Sequence, residues 1–298
     1  MGSARIRSSS ADFQVDEILG FNPHGSGEHL LVQIRKHNQN THWVAGLLAE
    51  LAGINSRDVG FCGLKDRVAI ATQWFSLYLP GREIHQDRLT HNAFDIIASV
   101  RHNRKLRRGM HHGYFFKIIL RNVEFDRDEI EIRLKKIGKE GVPNYFAEQR
   151  FGAAGGNLLA AERLVKKGRL RGDRGGNGIY LSAARSWLFN LVLARHVENY
   201  LDGGKFPYSM TGPLWGRGRN KAENCLRAIE TEVMESWPSW CHALEHSGLA
   251  QQRRELIATP RAMDYKHLDG GRFKIKFMLP KGSYATSVLR ELTELIRP

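Results

Sequence analysis

Extended and helical segments follow one another irregularly in the first half of the chain, and this order limits the available folds. Strand-like patterns cover residues 28–35, 58–62, 70–79, 92–100 and 114–121. Thr41 resembles a helix N-cap, and a helix is predicted from there to about Leu51. A second helix, capped by Asp126 or Asp128, is expected to end near Lys139. Because strands and helices do not alternate as βαβ units, the sequence predicts an α+β fold with a mixed, mainly antiparallel sheet.

The pattern changes after Phe151, where three glycines fall within five residues. Helix-like spacing then covers residues 157–167, 182–201 and 222–235. The chain returns to a strand at 273–277 and to a helix expected from Ser283 through Leu295. We therefore expect one α+β domain, formed by residues 1–154 and 250–298, with a largely helical domain at 155–249 inserted into it.

The charge balance points to a polyanionic partner. The 298 residues carry a formal net charge of +14, and the pI is about 9.9. Nucleic acid is the favoured partner class, with an anionic membrane surface as the alternative. No basic amphipathic helix, no run of about 18 apolar residues and no signal peptide is visible, so we expect no membrane association. Three widely spaced cysteines fit the reducing cytoplasm, where we expect the protein to lie.

One carboxylate stands between two cations in Gly63-Leu64-Lys65-Asp66-Arg67, directly after a short apolar run. Neighbouring positive charge should lower the pKa of Asp66 and keep it ionised at neutral pH. An ionised carboxylate can act as a nucleophile or as a base. Perturbed aspartates are also common in purely structural roles, and the residue types alone leave both interpretations open.

Basic and aromatic segments supply candidate contacts to nucleic acid. Arg101 to Arg108 is the densest basic run, and Lys166 to Arg171 and Arg217 to Lys221 combine cations with glycine. Such segments can contact phosphates, although a solvated loop is the alternative. In Val142-Pro143-Asn144-Tyr145-Phe146 an amide lies between aromatic residues and a proline. This arrangement could stack on an unpaired base, or it could be a core aromatic cluster.

Motifs for metal, nucleotide or serine-triad chemistry are absent from the sequence. None of the 13 histidines lies in an H-E-x-x-H motif, and no cysteine or histidine spacing matches a metal site. The expected chemistry, if there is any, uses no metal and no cofactor.

Taken together, the segments resemble the TruD family of tRNA pseudouridine synthases over about residues 6 to 292. The central match is Gly63 to Arg67 with Thr72-Gln73-Trp74-Phe75. Five further segments agree in the family's order: Asp12 to Glu17, Arg101 to Arg108, Val142 to Gly152, Leu181 to Ser186, and Leu279 to Leu292. Three positions depart from the family's usual pattern, with Tyr114 in place of Asn, Ser10-Ala11 in place of Pro-Glu, and Arg7 in place of the Lys of some members.

The resemblance implies a pseudouridine synthase catalytic domain, an inserted TRUD domain after Gly152, and an RNA-binding cleft. It implies isomerisation of uridine to pseudouridine, at uridine 13 in the D arm of tRNA. Asp66 would be the catalytic carboxylate, either adding to C1′ or taking the C2′ proton. The implied substrate-binding residues are Arg7, Phe13, Lys65, Arg67, Arg104, Lys105, Asn144 and Phe146. Asn144 would orient the aspartate, and Phe146 would stack on the target base. We expect tRNA as the partner, no small-molecule cofactor and a monomer.

Two other function classes remain open. A non-catalytic RNA-binding protein could use the same basic surface. A metal-dependent nuclease is the other class, but the sequence lacks the carboxylate cluster that such an enzyme needs.

Overall fold

The computed structural model describes residues 2–65, 69–170, 178–201, 210–222 and 224–296. At residues 224 and 225 it describes only the backbone. Contacts divide the chain into two compact units. The first comprises Met1–Gly138, Pro260–Gly282 and Leu292–Pro298, and the second comprises Lys139–Thr259 and Ser283–Glu291. These contact boundaries differ from the domain borders expected at 154/155 and 249/250, which describe an inserted domain and stay a prediction.

Fourteen strands occur among the described residues. They are β1 (Ser3–Arg5), β2 (Phe13–Leu19), β3 (His29–His37), β4 (Val59–Phe61), β5 (Ile70–Tyr78), β6 (Phe94–His102), β7 (His111–Glu124), β8 (Val142–Pro143), β9 (Thr211–Leu214), β10 (Gln252–Glu255), β11 (Ile257–Ala258), β12 (Arg261–Leu268), β13 (Arg272–Pro280) and β14 (Glu294–Ile296).

Seven α-helices accompany them in the same part of the chain. They are α1 (Thr41–Ala52), α2 (Arg127–Glu140), α3 (Gly156–Lys166), α4 (Gly178–Leu201), α5 (Asn224–Glu235), α6 (Pro238–Glu245) and α7 (Ala285–Leu292).

Ten of the described strands form one sheet in the first unit, in the order β12-β13-β7-β2-β5-β3-β6. Off this path, β1 pairs with β7 and β14, and β4 pairs with β5. The β2–β5 and β1–β14 pairs are parallel, and the other pairs of this sheet are antiparallel. The predicted α+β class with a mixed, mainly antiparallel sheet is confirmed.

Helix α1 covers one side of the sheet. The Asn40 carboxamide oxygen accepts from the His42 N–H at 2.8 Å, and Gly53 ends the helix in the left-handed region at φ 61°. Val44 and Leu48 are fully buried against Val32 and Phe75 of β3 and β5. Burying each of these side chains contributes about 1.5–3 kcal/mol, which fixes the helix next to the loop that follows β4.

The second unit is mainly helical. Its main apolar cluster includes Leu181, Leu188 and Val192 of α4 together with Leu244 of α6. The antiparallel pairs β9–β10 and β8–β11 supply its β-structure. No helix among the described residues combines the length and apolar character required to cross a bilayer.

Two details of the sequence prediction were wrong. The cap of α1 is Asn40, because the Thr41 hydroxyl is used elsewhere, as described below. The last helix begins at Ala285 and ends at Leu292, short of Leu295. The chain leaves the helix there because the buried Thr293 hydroxyl donates to the Gly2 carbonyl at 2.6 Å and β14 pairs with β1.

Candidate active site

The loop after β4 fills a gap along one edge of β5. Strand β2 pairs with that edge up to Thr72, and β4 pairs with it from Phe75 to Leu77. Gln73 and Trp74 lie between these two pairings, and none of the described strands pairs with them on that edge. The Trp74 N–H instead donates to the Glu17 carboxylate at 3.2 Å. In this gap a side-chain carboxylate therefore accepts the hydrogen bond that the backbone carbonyl of a neighbouring strand normally accepts.

Hydrogen bonds hold this loop from three directions. The buried Gln73 side chain donates to the Gly63 carbonyl at 2.5 Å. The Thr41 hydroxyl accepts from the Lys65 N–H at 3.0 Å and donates to the Gln73 carboxamide oxygen at 3.1 Å. The Lys65 ammonium donates to Glu17 at 2.5 Å. The residue that directly precedes Asp66 is thus fixed at both its backbone and its side chain.

Asp66 and Arg67 lie outside the described residues. The predicted catalytic residue and one predicted substrate-binding residue therefore have no structural account, and their roles stay a prediction.

Lys65 and Glu17 form a buried ion pair. Their side chains are 4% and 0% exposed, and the Lys65 ammonium also lies 4.5 Å from the centre of the Tyr114 ring. Glu17 and Tyr114 face each other in the β2–β7 register, so the cation lies over two neighbouring strands. The Lys65 ammonium is held inside the unit, which favours a structural role over direct contact with RNA.

His111 and Cys62 complete the surroundings of the loop. The His111 ring lies 4.7 Å from that of Tyr114, and burial next to the lysines 65 and 281 lowers the pKa of His111 to about 4. Burial next to Glu17 raises the pKa of the Cys62 thiol to about 12. Both groups are therefore neutral at pH 7 and add no charge next to the Lys65–Glu17 pair.

Arg7 and Phe13, both predicted to bind substrate, contact each other. The Arg7 guanidinium lies 4.3 Å from the centre of the Phe13 ring, and its backbone adopts a left-handed φ of 59°. Such a φ is costly for a residue other than glycine and is found frequently at functional sites. Phe13 and Glu17 lie four residues apart on β2 and therefore on the same face of the sheet. The Arg7–Phe13 contact and the Lys65–Glu17 ion pair therefore lie on the same face of β2.

The basic run from Arg101 to Arg108, which begins at the end of β6 and continues into the loop before β7, contains cations of two kinds. Arg104, Arg107 and Arg108 are exposed. The Arg101 side chain is only 14% exposed and donates to the Leu79 carbonyl at 3.2 Å. The Lys105 ammonium donates to the backbone carbonyl of residue 57. Of the two residues predicted here, Arg104 is available for phosphate contact and Lys105 is engaged within the unit.

Asn144 and Phe146 are buried in the second unit, with exposed fractions of 4% and 8%. The Asn144 amide donates to the Glu255 carbonyl at 2.9 Å and accepts from Arg254 at 2.7 Å. Phe146 packs edge-to-face against Phe189, at 5.4 Å between ring centres. The geometry matches the core aromatic cluster considered from the sequence, and the expected stacking on a base stays a prediction.

The other two basic segments are only partly described. Lys166 is paired with Glu162 one helical turn earlier, and Arg171 lies outside the described residues. Arg217, Arg219 and Lys221 are exposed. No group of three or more His, Cys, Asp or Glu side chains in the described ranges is placed to hold a metal ion.

Sequence reasoning missed Glu17, Thr41 and Arg254 as site residues. Glu17 ends the Asp12 to Glu17 segment that matched the family, so a signal was present, but nothing in the sequence pairs it with Lys65. Thr41 was read as a helix cap, and Arg254 carried no motif.

Comparison with known proteins decides the family. The model of the family described as tRNA pseudouridine synthase D (TruD) matches residues 2–170 and 203–292. The chain belongs to the TruD family of tRNA pseudouridine synthases. The recognition made from the sequence is confirmed, and with it the assignment to the isomerase class of enzymes.

Curated relatives of this TruD family member agree over nearly the whole chain. A protein of Cellvibrio japonicus named tRNA pseudouridine synthase D is 45% identical over 303 residues, covering 98% of this chain and 90% of that protein. One of the same name from Marinobacter nauticus is 40% identical over 322 residues, covering 99% and 92%. A crystal structure described as tRNA pseudouridine synthase D of Methanosarcina mazei superposes with a TM-score of 0.68 at 20% identity, covering 98% and 94% of the two chains. At that identity the superposition supports the fold alone.

Proposed function

We propose that this chain converts uridine to pseudouridine in tRNA, at uridine 13 of the D arm, with Asp66 as the catalytic carboxylate. In this reaction the bond from C1′ to N1 breaks, the uracil turns, and C5 bonds to C1′. The proton on C5 leaves and N1 takes up a proton, so no redox partner is required. Either route of Asp66, addition to C1′ or removal of the C2′ proton, requires the ionised carboxylate.

The observation that supports this proposal most directly is the fixed loop before Asp66. Lys65 is held by Thr41 and Glu17, and Gly63 is held by Gln73. Fixing a reacting group in advance removes part of the entropic cost of reaching the transition state. The names of the curated relatives supply tRNA as the substrate class.

The remaining parts of the proposal follow the sequence and the family resemblance. The enzyme acts as a monomer in the cytoplasm, without a cofactor. Exposed cations of the first unit, Arg104 among them, contact tRNA phosphates. The target uridine leaves its stack before reaction, at a cost of a few kcal/mol.

The test is pseudouridine formation by Asp66→Asn and Asp66→Ala on unmodified tRNA labelled with tritium at uracil C5. We expect both variants to release no tritium above background and to bind tRNA as the wild type does, because phosphate contacts dominate affinity. Carbodiimide mapping of the wild-type product should place the modified base at uridine 13. Turnover by Asp66→Ala would refute the catalytic assignment. Binding without turnover by the wild type would instead indicate a non-catalytic RNA-binding protein.

A further inference from the structure

Two adjacent arginines of β10 contact different kinds of partner within the second unit, one a carboxylate and the other uncharged oxygens. Arg253 forms an ion pair with Glu230, a fully buried residue of α5, at 2.7 Å. Arg254 instead donates to the main-chain carbonyl of Asn144 at 2.8 Å and to its carboxamide oxygen at 2.7 Å. Successive side chains of a strand point to opposite faces, which explains why neighbours serve different parts of the unit.

The contacts of Arg254 fix the orientation of the Asn144 amide. A guanidinium can only donate, and the Glu255 carbonyl, which bonds the other end of the amide at 2.9 Å, can only accept. The carboxamide oxygen must therefore face Arg254 and the amide nitrogen must face Glu255. The Asn144 main-chain N–H also donates to the Leu256 carbonyl at 2.8 Å, so the whole residue is held by the β10 segment.

The same guanidinium covers one side of Phe146. It lies 3.8 Å from the ring centre, while Phe189 and Tyr284 approach the ring in edge-to-face geometry at 5.4 and 6.2 Å. The Phe146 N–H donates to the Asn190 side chain at 2.9 Å. Burial, with the nearby cation of Arg150 adding to it, lowers the pKa of Arg254 to about 10, which leaves the group cationic at pH 7.

We propose that Arg254 is a positioning residue, which holds the Asn144 amide and the Phe146 ring in the arrangement that the reaction uses. This inference rests on the proposed function, because it assumes that the Asn144–Phe146 segment serves the reaction. Arg254 itself is not proposed to touch substrate. Lysine cannot replace it, because both hydrogen bonds come from the terminal Nη2, one bond further out than a lysine side chain reaches, and an ammonium lacks the flat surface that stacks on the ring.

The test compares Arg254→Lys with Arg253→Lys in the full chain, measuring kcat, KM and the melting temperature with C5-tritiated tRNA. We expect Arg254→Lys to lower kcat about 10- to 100-fold with little change in KM, since hydrogen bonds to a charged group are lost. We expect Arg253→Lys to lower the melting temperature while the folded enzyme keeps its kcat. Wild-type kcat in Arg254→Lys, or a loss of kcat that follows the folded fraction, would overturn the inference.

A second measurement does not depend on activity. The side-chain amide resonances of Asn144, identified with an Asn144→Ala variant in protein labelled with ¹⁵N at asparagine, report its orientation directly. We expect Arg254→Lys to shift these resonances and to speed their exchange with solvent, and Arg253→Lys to leave them in place. Unchanged resonances in Arg254→Lys would refute the positioning role. If the wild type makes no pseudouridine, the proposed function fails, and the resonances still decide whether Arg254 holds the amide.

Discussion

Replacing Glu17 by Gln should destabilise the first unit strongly, because it leaves the Lys65 ammonium buried without its counter-charge. The two side chains are 0% and 4% exposed, so water cannot replace the lost partner. Breaking a buried pair in this way costs about 3–5 kcal/mol. The change isolates the charge, because Gln is similar in size to Glu and its carboxamide oxygen can still accept the Trp74 N–H.

The assay is thermal unfolding followed by circular dichroism, with urea unfolding as the equilibrium measurement. At roughly 2–4 °C per kcal/mol for a unit of this size, the melting temperature should fall by about 6–20 °C. The double variant with Lys65→Met should recover most of this loss, because it removes the buried charge as well.

A matched control comes from the exposed pair Lys276–Asp264. Its nitrogen–oxygen distance is 2.8 Å, and its side chains are 33% and 64% exposed. Asp264→Asn should lower the melting temperature far less than Glu17→Gln does, because solvent screens surface ion pairs. If Glu17→Gln cost no more than Asp264→Asn, or if the Lys65→Met change failed to rescue it, the argument from burial would be refuted.

Three further predictions concern buried titratable groups and the basic run. The pKa of His111 is about 4 in the folded protein against an ordinary 6.5, so its contribution to folding stability is complete above pH 6.5 and is lost as the pH falls towards 4. Urea unfolding at a series of pH values should show that His111→Gln removes up to about 3 kcal/mol of this loss of stability in acid. Burial raises the pKa of Cys62 and Cys241 to about 12; peptide mass spectrometry should therefore find both thiols unlabelled by maleimide until urea is added, and rapid native labelling would contradict this. Arg104→Ala should flatten the slope of log tRNA affinity against log salt by about 0.7 or more, whereas Lys105→Ala should change it less because that ammonium is bonded within the protein; equal slopes would contradict the distinction.

Elements with strong local patterns were predictable from the sequence. Strands were expected at 28–35 and 70–79 and are observed at His29–His37 and Ile70–Tyr78. Burial does not alternate along β5, whose consecutive residues at 71–73 and 75–77 are buried, so that polar residues such as Ser76 lie in the interior. Ser76 is tolerated there because its hydroxyl accepts from the Leu106 N–H at 2.9 Å.

Elements that depend on distant pairing were not predictable. Strand β14 has three residues, and its strand conformation follows from parallel pairing with β1 near the other end of the sequence. The site shows the same limit, since Glu17 is 48 residues from Lys65 and Arg254 is 110 residues from Asn144. A motif identifies residues that matter, but it does not say which opposite charge or amide each one meets.

The surplus of positive charge is a weaker guide to the RNA-binding surface than the sequence indicated. The densest basic run has five cations, but the side chains of Arg101 and Lys105 donate hydrogen bonds to backbone carbonyls of the same unit. Lys65 is enclosed with Glu17, and Arg254 with Asn144. All four cations have partners within the protein, and three of them, Arg101, Lys105 and Lys65, lie in segments that the sequence predicts to contact RNA. Cations bonded within the protein release few counterions when RNA binds, so the salt dependence of affinity should reflect the exposed arginines of the run and not the formal net charge of +14.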